Sequence, residues 1–397
     1  MASTAEKKHN SVDNERICNT TIKVRIHPTQ EQARLLDKSF GCCRYLWNRM
    51  LADAQEFYAA AGEHFIPTPA KYKKEAPFLK EVDSLALSTV HQNLRRAFQK
   101  FFEKPEHYGY PTFKRKKDGK NSYTTYCQYS KYGAGANIFL TEDGIRLPKL
   151  EVVKATLHRK PLHWWKLKSA TVSRTATGKY FCSLLYEYRE RKPETVVPTV
   201  ENTLGLNYSV SQLYIDSNGT APGACQWLRQ SQEKLAAIQR KLSRMERGSK
   251  NYERQLYKLR LLHEHIANQR KDFLHKESRR IANAYDAVCV ANLNLREASQ
   301  NKALGNVMDS GFGQFRLQLA YKLERQGKPL LTVEKYTPTA RTCSVCGEEH
   351  AELPAHQRRW RCTSCGARLD RAENGAVNIK TAALKQFFAI RGENLFA

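Results

Sequence analysis

Arg341-Thr342-Cys343-Ser344-Val345-Cys346 is followed, after a fifteen-residue spacer, by Cys362-Thr363-Ser364-Cys365. Each Cys-x-x-Cys turn lets two thiolates bind one ion while backbone N–H groups of the turn bond to the sulfurs. Two such turns complete a tetrahedral shell of four thiolates. A closed shell has no open position, so the expected Zn2+ is structural, held by Cys343, Cys346, Cys362 and Cys365. His350 and His356 lie in the spacer and are surplus to that shell. Arg358, Arg359 and Arg361 make the same spacer basic enough to touch nucleic acid.

Outward from this module, the upstream chain alternates strand and helix signals. Leu331–Val333 and Val288-Cys289-Val290 read as buried strands. Residues 227–285 are helical in pattern, with a break near Gly248-Ser249, and carry Arg240, Lys241, Arg244, Arg247, Lys250, Arg254, Lys258, Arg260, Arg270 and Lys271. A solvated coiled-coil hairpin or a nucleic-acid surface accounts for that run. Thr203–Leu206 and Gln212–Asp216 are strands joined through Asn207-Tyr208-Ser209-Val210-Ser211, with a turn at Ser217-Asn218-Gly219. Residues 193–198 (PETVVP) read as a linker. Ahead of it, Ala170–Ser173 and Tyr180–Tyr188 flank Thr177-Gly178-Lys179 as a hairpin. Nearer the start, Ile22–Ile26 alternate as a short strand ended by His27-Pro28. Thr29 and Gln32 then form a capping box for a long amphipathic helix through Leu36, Phe40, Cys43, Trp47, Met50, Ala54 and Phe57. A second helix follows Asp83. Tyr110-Pro111-Thr112-Phe113-Lys114-Arg115-Lys116-Lys117 and Ser122–Tyr126 interleave cations with rings, the composition of a nucleic-acid surface, although a solvated loop reads the same way.

The chain has 397 residues and a formal net charge of +27, from 66 Lys+Arg against 39 Asp+Glu. Self-repulsion on this scale is relieved by a polyanion, and counterion release from phosphates then drives binding. No run of about 18 apolar residues appears, so no membrane partner is expected, and the first residues lack the apolar core of a signal peptide. The expected compartment is the bacterial cytoplasm, with the protein at the nucleoid when bound. Cys18, Cys42, Cys43, Cys127, Cys182, Cys225 and Cys289 then read as reduced, small apolar fillers.

The order of these pieces resembles the TnpB family, transposon-encoded RNA-guided nucleases related to type V CRISPR effectors. The resemblance spans roughly residues 20–390. It is carried by His27-Pro28-Thr29 with Gly41-Cys42-Cys43-Arg44-Tyr45-Leu46-Trp47-Asn48, by Phe78–Ser84 (FLKEVDS), Phe113–Lys117 (FKRKK) and Asn268–Lys276 (NQRKDFLHK), and by Lys335–Cys343 (KYTPTARTC) leading into the four-cysteine module. It implies an α+β multidomain fold. An N-terminal β-barrel-like wedge domain with an inserted helical recognition bundle precedes an RNase H-like RuvC domain carrying the zinc module. On that basis residues 1–20 form a flexible N-terminus and 21–190 the wedge domain, with its insertion at about 30–120. Residues 191–200 are the linker, 201–336 the RuvC-like domain with its basic hairpin, 337–368 the zinc module, and 369–397 the last RuvC segment and tail.

The family's nuclease needs three converging acids to hold two divalent ions about 3.5–4 Å apart. By resemblance those positions fall on Asn207, Ala291 and Ala372, none of which carries a charge. Mg2+ prefers charged oxygen ligands, so no catalytic Mg2+ is expected and the RuvC fold is expected to be nuclease-dead. The neighbouring acids Asp216, Asp286, Glu297, Asp370 and Glu373 are the candidates for relocated ligands. The resemblance then implies a transcriptional repressor that acts by guide-directed occupancy. Its partners are a guide RNA, a double-stranded DNA target with a flanking motif, and a host nuclease for guide maturation. Lys23, Arg25, Lys114, Arg115, Lys116, Lys117, Tyr123, Arg270 and Lys271 are the candidate nucleic-acid contacts. An endonuclease with relocated ligands, an accessory RNA-binding protein and a zinc-finger transcription factor are the alternative readings.

Overall fold

Ile22, Val24 and Ile26 point one way along an extended segment and are buried, while Lys23 and Arg25 point to solvent. That period of two builds β1 (Glu15–His27). The computed structural model describes residues 14–119, 121–129, 135–209, 212–222, 226–292, 311–334, 337–354 and 356–392. The calls on Val210, Ser211, Cys225, Leu293, Glu297, Lys335, Tyr336 and residues 1–13 lie outside them. The chain divides into two compact units, Met1–Arg191 and Lys192–Ala397.

In the first unit β1 starts five residues before the expected end of a loose N-terminus. The reason lies far along the chain. β7 (Tyr180–Arg191) pairs with β1 in an antiparallel ladder from Glu15↔Arg191 to Ile26↔Tyr180, and Arg16 is salt-bridged to Glu190 at 2.8 Å. After β1 the Thr29 capping box forms, with Gln32 N–H on Thr29 Oγ1 at 3.2 Å and Thr29 N–H on Gln32 Oε1 at 3.0 Å. It opens α1 (Gln30–Ala61). A short α2 (Pro69–Glu75) precedes α3 (Ser84–Glu103), whose N-cap Asp83 accepts from Leu85 N–H at 3.0 Å. The helices therefore fall between β1 and β2 (Asn121–Tyr126).

β3 (Phe139–Leu140), β4 (Gly144–Leu147), β5 (Glu151–Thr156) and β6 (Lys166–Arg174) complete a seven-stranded sheet ordered β2-β6-β7-β1-β5-β4-β3. Just after β2 the chain meets the segment just before β3, through an antiparallel bridge between Tyr129 and Ala136 and the Asn137 N–H donating to Gln128 O at 3.2 Å. One core joins Leu36, Phe40, Leu46, Met50, Leu87 and Leu94 of the helices to Val24, Tyr123, Val172 and Leu184 of the sheet. Burying each such aliphatic side chain stabilises the unit by about 1.5–3 kcal/mol.

The second unit is built on β8 (Thr203–Ser209), β9 (Leu213–Asp216), β10 (Ala287–Ala291) and β11 (Leu330–Val333), in the order β11-β10-β8-β9. β10 runs parallel to both β8 and β11, and β9 runs antiparallel to β8. Leu204, Gly205, Leu206, Val288, Cys289 and Val290 are buried without alternation, as parallel strands covered on both faces require. The break near Gly248 separates α4 (Gln226–Ser243) from α5 (Lys250–Ala284), and α6 (Phe312–Glu324) packs on α5. Between β11 and α7 (Arg371–Ile390) lies the cysteine module, with its small hairpin of β12 (Arg359–Arg361) and β13 (Arg368–Asp370). α7 lies so close to β8 that a Cβ on Gly205 would stand 2.1 Å from the Ala376 carbonyl oxygen. Only glycine fits that contact.

Candidate functional site

The two knuckles have the same local geometry. Gly347 N–H donates to Cys343 O at 2.9 Å and Gly366 N–H to Cys362 O at 3.0 Å. Cys343 N–H reaches Glu348 O and Cys362 N–H reaches Ala367 O, at 2.8 and 2.9 Å. Both glycines have positive φ, 81° and 72°, which closes each turn. The four sulfurs converge: Cys343 Sγ lies 3.7 Å from Cys365 Sγ, Cys346 Sγ lies 3.6 Å from Cys362 Sγ, and all four ligand atoms fall within 4.8 Å. Thiolates about 2.3 Å from a tetrahedral Zn2+ would stand roughly 3.8 Å apart, so the donor set fits that ion. The Cys365 backbone N–H, with help from His350 and the Ser364 N–H, draws the Cys362 thiol down to about 5. His350, surplus to the ligand count, therefore touches the centre: its Nε2 is 3.2 Å from Cys362 Sγ and its ring lies edge-on to Trp360. An outer contact of this kind orients a ligand.

Asn374 and Asn378 had no assigned role in the sequence. Asn374 accepts from Ser344 N–H at 2.8 Å and donates to Thr342 O at 2.8 Å, and Asn378 donates to Thr339 O and Thr342 O. Two asparagines at i and i+4 on one helix face thereby bind the first knuckle to α7. That spacing was the available signal.

The three uncharged positions come together. The register Val290↔Leu206 sets Ala291 beside Asn207 at the C-terminal ends of β10 and β8. Asn207 Nδ2 donates to Ala372 O at 3.0 Å, across to the first turn of α7. A cleft of about 340 Å³ opens over Asn207 and Ala372, lined also by Ser209, Gln212, Ile215, Ala340, His356, Gln357, Arg358 and Arg371. None of these is a carboxylate.

The nearby acids are occupied in other ways. Asp370 caps α7, accepting from Ala372 and Glu373 N–H, and pairs with Arg358 at 2.9 Å. Burial pushes its carboxyl up, but the Arg358 guanidinium and the two backbone N–H groups outweigh it and hold the pKa below the usual range. Asp216 is 4% exposed and accepts from Asn218 and Thr220 N–H through Oδ1 at 3.0 and 2.8 Å. Asp286 accepts from Asn202 and lies 3.7 Å from Lys328. Glu373 is exposed, and its carboxylate lies against the turn at Gly219.

The candidate nucleic-acid residues separate by environment. Lys23 and Arg25 are exposed on β1, with Lys23 Nζ 4.5 Å from the Phe181 ring centroid. Lys116 and Lys117 are exposed on a short turn. Arg115 is ion-paired to Asp118 at 3.2 Å. Lys114 is exposed as a residue, but its ammonium sits 3.7 Å from the Trp47 ring centroid, and desolvation there lowers its pKa. Its backbone exchanges hydrogen bonds with Asn48 at 2.8 and 2.9 Å. Tyr123 is 6% exposed and packs on Phe40, so its ring is a core contact and offers no face to a base. On α5, Lys271 is exposed and Arg270 half-buried.

Three family descriptions match the chain: "Helix-turn-helix domain" over residues 18–63, "Probable transposase" (the IS605 OrfB type) over 183–302, and "Cas12f1-like, TNB domain" over 312–379. The first of these spans a strand and one long helix here. A protein of Streptomyces pristinaespiralis is 30% identical over 375 residues, covering 91% of this chain and 89% of its own length. One from Escherichia coli K12 is 29% identical over 386 residues, covering 91% of each. Both are named "Putative RNA-guided DNA endonuclease", the second with the suffix InsQ. Among solved structures, that of a Cas12f1–sgRNA–target DNA complex shares the fold, with a TM-score of 0.59 at 13% identity over 92% of this chain and 99% of its own. The mixed α/β architecture with its four-cysteine cluster is thus of the Cas12f-like class. Within it, the chain belongs to the TnpB family of IS605-type OrfB proteins.

Proposed function

We propose that this protein is an RNA-guided DNA-binding protein whose RuvC-like centre does not cut, and that it represses transcription by occupying its target. The observation that carries the reading is the convergence of Asn207, Ala291 and Ala372 beside a cleft lined, among the described residues, by no carboxylate. Two-metal phosphodiester hydrolysis needs anionic oxygens to hold and neutralise the ions. Here an amide and two methyl groups stand in those places. The four cysteines would hold a structural Zn2+ that fixes the knuckles and, through Asn374 and Asn378, the start of α7. The net charge of +27 suits a guide RNA and a DNA target held by shape and charge, with a short flanking duplex motif read by the protein. Guide maturation would fall to a host nuclease. No helix among the described residues is long and apolar enough to cross a membrane.

The names of the relatives favour a second reading, an endonuclease with relocated ligands. It requires Asp370 to leave its cap and its arginine, Asp216 to leave two backbone N–H groups, and Glu373 to turn inward.

The test is to purify the protein from its native host, sequence the RNA that accompanies it, and incubate the complex with matched duplex DNA and Mg2+. Guide-dependent binding with intact DNA is expected. Guide-dependent nicks or breaks that vanish in Glu373→Gln or Asp370→Asn would establish the endonuclease instead.

A further inference from the structure

We infer that His350 is a positioning residue of the four-cysteine centre. Its ring N–H donates to the Cys362 sulfur and holds that thiolate on the ion, so that the metal leaves through the exposed sulfurs of Cys346 and Cys365. The inference rests on the reading of the centre as a Zn2+ site and is independent of whether the protein cuts DNA.

Four sulfurs within 4.8 Å of one another already fill a tetrahedral shell, so a ring nitrogen beside them has no coordination position left. His350 Nε2 stands 3.2 Å from Cys362 Sγ. A metal-bound thiolate can only accept a hydrogen bond, so the nitrogen that faces it carries the proton. The ring is clamped in that place from two sides. The His350 backbone N–H donates to Arg341 O at 2.9 Å, and its carbonyl accepts from Leu353 N–H at 3.1 Å. Its ring meets the Trp360 ring edge-on with centroids 4.9 Å apart, and Trp360 is itself buried on β12. His350 thus runs from the chain just before Cys343 to a sulfur of the other knuckle.

The two knuckles share one asymmetry. Cys343 and Cys362 are 1% exposed, whereas Cys346 and Cys365 are exposed. The backbone N–H groups of Ser364 and Cys365 also point to Cys362, so with the ring three donors converge on this sulfur. Each donor stabilises the thiolate and lowers its nucleophilicity. A fixed outer donor also orients the ligand it touches. Cys362 is therefore the sulfur least ready to leave the ion or to meet a reagent, and the solvent-facing pair is the first to be attacked.

The test uses the full chain loaded with Zn2+ or Co2+. Wild type is expected to hold one Zn2+ per chain. Timed iodoacetamide treatment with peptide mass spectrometry should find Cys346 and Cys365 alkylated well before Cys362. His350→Phe keeps a ring against Trp360 but has no N–H to give. It is expected to weaken Zn2+ binding about 10–100-fold in competition with pyridylazoresorcinol, and to bring Cys362 alkylation forward. In the Co2+ form it should move the sulfur-to-metal charge-transfer band to longer wavelength, because a sulfur that has lost a donor releases its electron more readily. His350→Gln restores a donor and should recover most of the affinity and the band position. A role in packing alone would leave the band where it is and would favour Phe over Gln.

A His350→Phe chain with wild-type affinity and band position overturns the inference. Metal loss in His350→Phe that His350→Gln does not repair overturns it too, because His350 would then be a ligand or a packing residue. Alkylation of Cys362 together with or ahead of the exposed pair in wild type overturns it without any variant. A wild type that takes up no Zn2+ sinks the zinc reading itself, and the inference with it.

Discussion

Asp53 is 8% exposed on α1, and both Lys71 Nζ and Tyr72 Oη donate to its Oδ2 at 2.8 Å, while Arg49 stands 3.6 Å from Oδ1. Burial pushes its carboxyl up, but the Lys71 and Tyr72 hydrogen bonds and the two cations outweigh it, and the pKa falls below the usual value. The unfolded carboxyl titrates near 3.9. The stabilisation is therefore fully present above about pH 4 and is lost as pH falls through the lower, folded value. Asp53→Ala is expected to cost about 1–3 kcal/mol in urea melts at pH 7, because it orphans the fully buried Tyr72 hydroxyl. Asp53→Asn keeps an acceptor for Tyr72 and should shed the acid-side pH dependence, read from melts at pH 3–5. An unchanged acid limb in that variant would rule the carboxylate out as its source. This triad could not be read from the sequence, where Asp53 was one more polar residue on a helix. The surroundings of Lys114 and Tyr123 were hidden for a related reason. Rings alternating with cations resemble a nucleic-acid surface, but the partners that claim them, Trp47 and Phe40, lie more than sixty residues away.

At the scale of elements, local chemistry was readable and long-range pairing was not. The capping box at Thr29, the helix start after Asp83, the break at Gly248 and both Cys-x-x-Cys turns are decided by neighbouring residues, and all have the expected form. β2 was read as a binding segment, and β3 to β5 carry few β-branched runs. Their strand character comes from pairing with β6, with one another and with β1. The convergence of Asn207, Ala291 and Ala372 was legible only through family resemblance, because β8, β10 and α7 are separated by some eighty residues each.

Two element-scale predictions concern α7 and α6. Asn374→Ala leaves the Ser344 N–H without its partner at a 2% exposed position, while the Thr342 carbonyl keeps the Asn378 amide, and should cost about 1–3 kcal/mol. Hydrogen exchange should then rise in the first turns of α7 as well as in the knuckle. Faster exchange in the knuckle alone would mean that the asparagine does not couple the two. Lys322 on α6 is 8% exposed and donates to His275 O and Ser278 Oγ at 2.6 Å. Desolvation draws its pKa down to about 8, against about 10.4 unfolded. Between those values the unfolded chain binds more protons, so this lysine makes stability rise with pH from about 8 to about 10.4. Lys322→Met should remove that rise, so the stability difference between wild type and variant should move in favour of wild type across this window. A pH-independent difference would refute it.

For the whole molecule, each unit has hydrophobic clusters of its own. One core uses only residues from Ile22 to Tyr186, and the remaining clusters use only residues from Leu204 to Leu384. Cooperativity follows shared core, so the RNA-free protein should melt in two calorimetric transitions, not one. Metal should act on only one of them. The four-cysteine centre belongs to the second unit, where Asn374 and Asn378 tie it to α7, and α7 packs on β8. Structural Zn2+ in small domains contributes on the order of 10 kcal/mol of apparent binding free energy near neutral pH. Chelation should therefore lower the second transition by many degrees and leave the first in place. The assignment is checked by Tyr72→Phe, which lies in the first unit and should shift only the transition that the chelator spares. A single transition that moves as a whole on chelation would show that the two units unfold together. The cysteine centre would then stabilise the entire chain, and the +27 surface would have to be understood as one electrostatic body.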